Sequence, residues 1–247
     1  MATYTTTADA NGDFTVPFSS NYKNGQKITV TAAKDGATKS IELYAPSGLI
    51  QPDPWFSCSG NLSTFPENVG TIILKNITGV VQPYAFYCPG AYGGNLYEKA
   101  TGLDISKCAI TVISSNAFAG WMNATSLVLC STITEIADSA FISWTALASL
   151  TIPNSVSAIR AGAFQNLSAL TALTLGSGLT TIEDWSFGGM TSAVSVTCLA
   201  TTPPVISSNT FNSIKSTVKY YVPAASLAAY KAAPIWKTFA SKIYAIP

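Results

Sequence analysis

The sequence predicts a mainly β protein: a solenoid of about six 23-residue repeats with short helical or 3-10 turns, preceded by a small antiparallel β domain. Three observations lead to this prediction. Phenylalanines recur at a fixed spacing, the positions around them are apolar in each copy, and residues 1–48 instead alternate apolar with polar side chains. A fixed period of this length indicates stacked repeats, whereas strict alternation is typical of strands.

The repeat is an isoleucine followed five positions later by a phenylalanine. The interval between consecutive phenylalanines is constant from Phe118 to Phe187 and is one position longer at the last copy. The five copies are Ile113 with Phe118, Ile136 with Phe141, Ile159 with Phe164, Ile182 with Phe187, and Ile206 with Phe211. A diverged sixth copy has Val81 before Phe86. Since the residues between these positions are mostly small and polar, each unit has an apolar face that it can bury only against its neighbours.

Two further positions of the repeat carry predictions. Leucines at 127, 150 and 173 occupy the same place ahead of the phenylalanine in successive copies and are expected to begin short strands. Trp121 and Trp144 stand three positions after a phenylalanine, at a place that is apolar in every copy, so we expect both in the core.

The residues of one copy resemble a known family. Residues 152–159, followed by Ala163 and Phe164, are similar to the unit of BspA-type leucine-rich repeats. Residues 198–206 resemble the terminal repeat of that family, and 221–231 with Trp236 and Phe239 resemble its closing segment. The resemblance covers residues 69–247 and implies a stack over 69–217 whose open end is capped by a strand and a short helix within 218–247. Its members, on bacterial and protist surfaces and in phages, mostly bind or adhere, and the repeat itself contains no catalytic residues.

The N-terminal segment, residues 1–48, breaks the period. Four alternating stretches are separated by Asn11-Gly12, Asn24-Gly25 and Asp35-Gly36, which are strong turn signals. We therefore expect a four-strand β meander that resembles the Ig-like modules of bacterial surface and phage proteins. So small a sheet needs another body to pack on, which predicts an anchoring module and a homo-oligomer. Residues 49–68 are expected to form a linker and the N-terminal cap of the stack, the cap over 55–66.

Composition excludes several classes of function. The 247 residues contain no histidine, 13 Lys and Arg, and 12 Asp and Glu, for a net charge of +1. Without histidine there is no histidine-based nucleophile system or His-ligated metal site, and the near-neutral charge favours neither nucleic acid nor an anionic membrane. The five cysteines form no C-x-x-C pair and are expected to be free, with Cys130 and Cys198 buried. The prediction is a protein that is not an enzyme and has no cofactor or metal.

The start of the chain bears on location. Residues 1–7 have neither the basic nor the apolar region of a secretory signal, and no apolar run approaches membrane-spanning length. Together with the β module and free cysteines, this favours a phage virion component assembled in the bacterial cytoplasm: a head-decoration, head-fibre or tail-fibre receptor-binding protein. Residues 1–48 would dock on capsid or tail proteins. The alternative is a bacterial cell-surface adhesin, seen without its signal, that binds a host protein or glycan through the solenoid.

Three sets of residues are candidates for a binding surface. Thr151, Thr174 and Thr197 occupy equivalent positions of successive repeats and predict an outward row on the sheet, continued by Val128 and Asp104. Two aromatic residues stand two positions before a phenylalanine, where the other copies have small polar residues. The aromatics at this position are Tyr84 and Trp185. A glycine-rich interruption of the period supplies the third set: Tyr87, Tyr92 and Tyr97. Exposed aromatic side chains often anchor interfaces. The alternative for the threonines is the strand propensity of a solvated face, and for Tyr84 and Trp185 it is packing on the convex side.

Two other patterns are better explained by structure than by chemistry. Residues 9–13 begin like a calcium loop, but the glycine is misplaced and position twelve is Ser20, so a hairpin turn is expected. Glu135 with Asp138, and Glu183 with Asp184, could form an acid and base pair. A repeat edge offers a poor cleft for glycosidase chemistry, so solvated turns are expected instead.

Overall fold

The computed structural model describes residues 70–87 and 100–247, and the backbone of four strands within the N-terminal segment. Those four are β1 (Ala2–Thr5), β2 (Phe14–Val16), β3 (Lys27–Lys34) and β4 (Ala37–Tyr44). Two long strands open the stack: β5 (Thr71–Val81) and β6 (Gly102–Ile113). From there each repeat, which we call a rung, contributes one strand of three or four residues and one of two residues.

Short strands alternate along the stack, a longer and a two-residue strand in each rung. In chain order they are β7 (Ser126–Val128), β8 (Glu135–Ile136), β9 (Ser149–Thr151), β10 (Ala158–Ile159), β11 (Ala172–Leu175), β12 (Thr181–Ile182), β13 (Ser195–Cys198) and β14 (Val205–Ile206). The predicted strands at Leu127, Leu150 and Leu173 are confirmed, and each begins one residue earlier.

Parallel pairing places the strands of the stack in two sheets, separate from the sheet of β1, β3 and β4. Two strands of the C-terminal segment, β15 (Lys219–Val222) and β16 (Ile243–Ala245), extend one sheet, whose order is β16-β15-β13-β11-β9. The other sheet has the order β14-β12-β10-β8-β6-β5-β2, with β7 beside β6. We call the surface of strands β7, β9, β11, β13, β15 and β16 the sheet face. A separate surface, which we call the turn face, consists of the turns at 83–86, 115–120, 138–143, 161–166, 184–189 and 208–213. The predicted repeat solenoid is confirmed.

Aromatic columns fill the core. The repeating phenylalanines stack with centroid separations from 4.9 Å for Phe86 on Phe118 to 5.9 Å for Phe187 on Phe211. Trp121 and Trp144 are fully buried and stacked at 5.2 Å, which confirms their predicted core position. Each indole donates a hydrogen bond to a phenylalanine carbonyl of the preceding rung, at 2.8 and 2.6 Å. The sixth, diverged copy at Phe86 therefore belongs to the same stack.

Hydroxyl columns link one rung to the next. Thr134 donates to the carbonyl of Thr111, Ser157 to that of Thr134, and Thr180 to that of Ser157, at 3.0–3.1 Å. Each donor and acceptor are 23 residues apart. Each of these carbonyls also accepts the backbone amide of the same serine or threonine, so the hydroxyl adds a second hydrogen bond across the rung boundary.

The C-terminal segment closes the stack. It contains β15 (Lys219–Val222), η1 (Ala224–Ser226), α1 (Leu227–Ala232), η2 (Trp236–Lys242) and β16 (Ile243–Ala245). The strand and short helix implied by the resemblance are both present. Trp236 is buried, and its indole donates to the carbonyl of Pro204 at 2.8 Å. Apolar side chains from the cap therefore cover the last phenylalanine of the column.

The predicted N-terminal meander is wrong in its pairing. β3 and β4 form the expected antiparallel hairpin, but β1 pairs with β3 in parallel. β2 instead pairs in parallel with β5 of the solenoid. Alternation identifies a strand without identifying its partner, and the edge of β5 offers β2 unpaired backbone groups. The predicted linker and cap at 49–68 and the turn at 9–13 lie outside the described residues.

Three cysteines lie in the described part of the chain. Cys108, Cys130 and Cys198 are free and buried, which confirms the prediction for Cys130 and Cys198. Burial raises the pKa of the Cys108 thiol to about 11, and it also raises the pKa of Cys198. In these buried positions the three side chains act as small apolar groups. Cys58 and Cys88 lie outside the described residues.

Candidate functional site

The turn face is built on a backbone ladder between rungs. The amide of Asn116 donates to the carbonyl of Asp138 at 3.0 Å, that of Ser139 to Ala161 at 3.0 Å, and that of Gly162 to Asp184 at 2.9 Å. Equivalent residues of successive rungs therefore lie directly above one another. A side chain on one rung has the equivalent side chains of the next rungs as neighbours, about 4.8 Å apart.

One column of the turn face has left-handed backbone geometry. Its φ angles lie between 54° and 63° in five rungs: Tyr84, Asn116, Ser139, Gly162 and Trp185. Glycine and asparagine adopt this conformation readily, whereas a bulky aromatic side chain in it is a genuine outlier. Trp185 and Tyr84 are also exposed, with relative exposures of 40% and 51%.

A depression of about 370 Å³ lies beside Trp185 on the turn face. It spans three rungs and is open to solvent. Its lining residues are Asp138, Ser139, Ala161, Gly162, Gln165, Asp184 and Trp185. Asp138 and Ser139 belong to the rung of Phe141. Ala161, Gly162 and Gln165 belong to the rung of Phe164, and Asp184 and Trp185 belong to the rung of Phe187.

Small residues make room for the depression. A Cβ atom on Gly162 would lie 3.3 Å from both Gln165 Oε1 and Ser139 Oγ, so these polar atoms border the bare glycine. A Cβ on Gly188 would lie 2.9 Å from Trp185 Cε3, so the indole edge rests on that glycine. The missing side chain at Gly162 thus leaves space at the floor of the depression, and Gly188 lets the indole of Trp185, which forms its aromatic wall, pack closely on the backbone.

The two aspartates each have one oxygen in a structural hydrogen bond. Asp138 Oδ1 accepts the amide of Ala161 at 3.1 Å, and Asp184 Oδ1 accepts the hydroxyl of Ser207. No described residue donates to the other carboxylate oxygen of either aspartate, or bonds the side-chain amide of Gln165. The depression therefore offers carboxylate acceptors and an amide group beside an aromatic ring.

Arg160 bridges two glutamates close to the depression. Its Nε is 2.9 Å from Glu135 Oε1, and its Nη1 is 2.8 Å from Glu183 Oε1. Hydrogen bonds to Glu135 and then Glu183 raise the pKa of the guanidinium. The acid and base pairs considered from sequence are therefore not brought together as pairs. Glu135 and Glu183 bind Arg160, while Asp138 and Asp184 line the depression.

The predicted threonine row lies on the sheet face. Thr174 pairs with Thr151 on one side and with Thr197 on the other, and Thr151 is exposed while Thr174 and Thr197 are half-buried. The row continues through Tyr221 and Tyr244, which sequence reasoning missed. Lys219 Nζ lies 5.9 Å from the centroid of the Tyr244 ring.

At its other end the row is interrupted. Asp104 pairs with Val128 as predicted, but no ladder joins the described strands β7 and β9. The threonine row and Trp185 lie on different surfaces, so the structure does not combine them in one site.

The remaining aromatic candidates divide by position. Tyr84 and Tyr87 contact each other edge to face, with centroids 5.4 Å apart. Tyr92 and Tyr97 lie outside the described residues. Sequence reasoning also missed Gln165 and Gly188 as neighbours of Trp185. The available signal was the period itself, since equivalent positions of adjacent repeats must be neighbours.

The described part of the chain contains neither a metal-binding cluster nor a membrane-spanning helix. There, no three or more of Cys, Asp and Glu converge to hold a metal ion. Among the same residues, no helix has the length and apolar character to cross a membrane.

The family model described as the BspA type leucine rich repeat region matches residues 98–228, in six copies. The chain belongs to this family. The BspA-type repeats thus include the whole depression and most of the sheet face. No curated protein gives a significant match.

One similar solved structure is that of the pneumococcal vaccine antigen PcpA. Sequence identity is 14% and the TM-score is 0.39. The alignment covers 72% of this chain and 58% of the PcpA chain, so this chain spans little more than half of that structure.

Proposed function

We propose that this BspA-type repeat protein is a non-enzymatic binding protein of the adhesin kind, displayed at a bacterial cell surface, and that it holds its ligand at the depression beside Trp185. The observation that supports this proposal most is the position of Trp185. The ring is 40% exposed in a left-handed column where three other rungs have Asn116, Ser139 and Gly162.

An exposed tryptophan in this left-handed conformation lowers the stability of the folded protein. A left-handed non-glycine residue costs about 1–3 kcal/mol, and such strain is concentrated at ligand sites. The core gives no reason for it, because the phenylalanine column beneath is complete in this rung: Phe187 stacks on Phe164 at 5.5 Å. A ligand that covers the ring supplies the missing reason, since exposed tryptophans are frequent anchors of interfaces.

Binding without catalysis agrees with the side chains that the chain offers for chemistry. The chain has no histidine to act as a base near neutral pH. Two of the four carboxylates considered for acid and base roles bind Arg160, and the other two each hold a structural hydrogen bond. The depression is open rather than a closed cleft from which water could be excluded.

The strand pairing of the N-terminal segment favours the cell-surface location over the virion role. The virion prediction depended on a self-contained β meander at residues 1–48, and the strand pairing there is different: β2 adds to the solenoid through β5. No feature of the described residues favours a capsid or tail protein. Docking through residues 1–48 therefore stays a prediction.

The test is binding of the full chain to an array of immobilised glycans and extracellular-matrix proteins. Trp185→Asn removes the ring and keeps a residue suited to the left-handed column. Tyr244→Ser is the matched control, because it removes a ring of similar exposure, 45%, from the sheet face. We expect a signal that falls at least tenfold in W185N and is unchanged in Y244S. Equal binding by wild type and W185N would refute the site, and loss in Y244S alone would move it to the sheet face.

A further inference from the structure

We propose that the depression beside Trp185 is a carbohydrate subsite, and that its ligand is a neutral glycan with a hexopyranose unit placed against the indole. This inference rests on the proposed function and specifies its ligand class.

The aromatic wall suits the apolar face of a sugar ring. The indole of Trp185 lines the depression with 40% of the residue exposed, and its edge lies against Gly188. A hexopyranose presents axial C–H groups on one face and hydroxyl groups around its rim. An indole ring covers the C–H face of the sugar and leaves the hydroxyl groups around its rim free to form hydrogen bonds with water or protein.

The polar groups around the ring match those rim hydroxyls. Asp138 and Asp184 each have a carboxylate oxygen without a described donor, and both line the depression. Ionised carboxylates only accept hydrogen bonds, which sugar hydroxyls donate, and such charge-assisted bonds are strong. Gln165 and Ser139, which border Gly162, add groups that both donate and accept.

The charged side chains around the depression favour neutral glycans over acidic ones. Two aspartates line the depression, and the cation beside it, Arg160, is already bound to Glu135 and Glu183. A uronic acid, sialic acid or sulfated sugar would meet like charge, because no lysine or arginine is among the described residues that line the depression. A basic peptide would find the carboxylates attractive but would leave the amide of Gln165 and the ring face unmatched, so a neutral sugar uses more of the site.

A peptide strand has a second disadvantage here. The backbone amides of Ser139 and Gly162 donate to Ala161 and Asp184 on the next rung. Strand addition requires unpaired backbone groups along an edge. The turn face offers side chains rather than an open backbone edge, which again favours a ligand that is read through hydroxyl groups.

Calorimetric titration of the full chain tests the inference. The probes are neutral gluco-, galacto- and manno-oligosaccharides, an acidic oligosaccharide of similar length, and a lysine- and arginine-rich peptide. W185N removes the ring. Gly162→Asn keeps a left-handed residue, as Asn116 does in its own rung, and fills the floor of the depression. Y244S serves as control, and circular dichroism verifies that each variant is folded.

We expect one neutral oligosaccharide series to bind, with at least a tenfold loss in W185N and G162N and no change in Y244S. If no neutral series binds while the array signal still depends on Trp185, the carbohydrate inference is overturned and the proposed function stands. Preference for the acidic sugar or the basic peptide would overturn it in the same way. If the array signal itself is indifferent to W185N, both fall.

Discussion

Phe141 and Phe164 stack face to face from equivalent positions of adjacent rungs, with ring centroids 5.1 Å apart and planes inclined by 1°. The same relationship joins neighbouring phenylalanines along the described column, from Phe86 to Phe211. Each ring is therefore shared between two rungs. Stability along such a stack is carried by interfaces between nearest neighbours.

Phe164→Ala is expected to destabilise the protein by about 3–5 kcal/mol, because it removes a fully buried ring from between two others and leaves a cavity. The free energy of unfolding from a urea titration measures the effect. Phe164→Leu, which keeps most of the volume, should cost clearly less. If alanine and leucine at this position gave the same small loss, the ring column would not be what holds adjacent rungs together.

The two buried tyrosines of the cap should respond in opposite directions. Tyr220 Oη has no hydrogen-bond partner among the described residues, whereas Tyr230 Oη donates to the carbonyl of Ala200 at 2.8 Å and contacts Cys198 Sγ at 3.1 Å. Removing an unpartnered buried hydroxyl is favourable, so Tyr220→Phe should stabilise by about 1 kcal/mol. Tyr230→Phe should destabilise by a similar amount. Thermal unfolding of the two variants compares them, and a lower midpoint for Y220F would contradict the assignment.

The buried thiol of Cys108 predicts a loss of stability at alkaline pH. Burial raises its pKa to about 11 from an ordinary value of 9.0. Above pH 9 the unfolded chain releases this proton and the folded chain keeps it, so stability is full below pH 9 and falls as pH rises toward 11. Cys108→Ala should flatten part of that decline, by roughly 1–2 kcal/mol at pH 11. Unfolding at pH 8 and pH 10.5 in both proteins measures it, and an identical slope in C108A would refute the account.

Backbone strain at Trp185 makes a prediction independent of any ligand. Replacing Trp185 by Asn relieves a left-handed aromatic but removes the contact with Gly188, so stability should change by less than about 1 kcal/mol. Gly162 has the same geometry with φ of +63°, and a β-carbon there would press on Gln165 and Ser139. Gly162→Ala should therefore cost about 1 kcal/mol or more, and Gly162→Asn less. A large destabilisation in W185N would contradict this prediction, because it would mean that the indole ring stabilises the folded protein.

Much of the fold was predictable because the same residue types, above all phenylalanine, recur at a fixed spacing in the sequence. Each apolar position of one unit meets its equivalent in the next, so the burial of Trp144 followed from its place after Phe141. The threonine row followed for the same reason. Its continuation to Tyr221 did not, because Tyr221 lies one position beyond the regular period from Thr197.

The site and the N-terminal pairing were harder to predict, for different reasons. The depression combines Asp138, Gln165 and Trp185 from three rungs and from different positions of the unit. Only the register of the stacked turns decides that they meet. β2 was recognisable as a strand, but its pairing with β5 depends on which edge is available, and alternation carries no information on that.

Acrylamide quenching of tryptophan fluorescence tests most directly whether a ligand covers Trp185. Trp121, Trp144 and Trp236 are buried, so the difference between wild type and W185N isolates the exposed ring from the other tryptophans, including Trp55, which lies outside the described residues. At saturation with the tightest glycan probe, we predict that the quenching of this difference signal falls by at least half. Quenching of Trp185 that is unchanged while the probe is bound would contradict the account, because the ligand would then lie elsewhere on the solenoid.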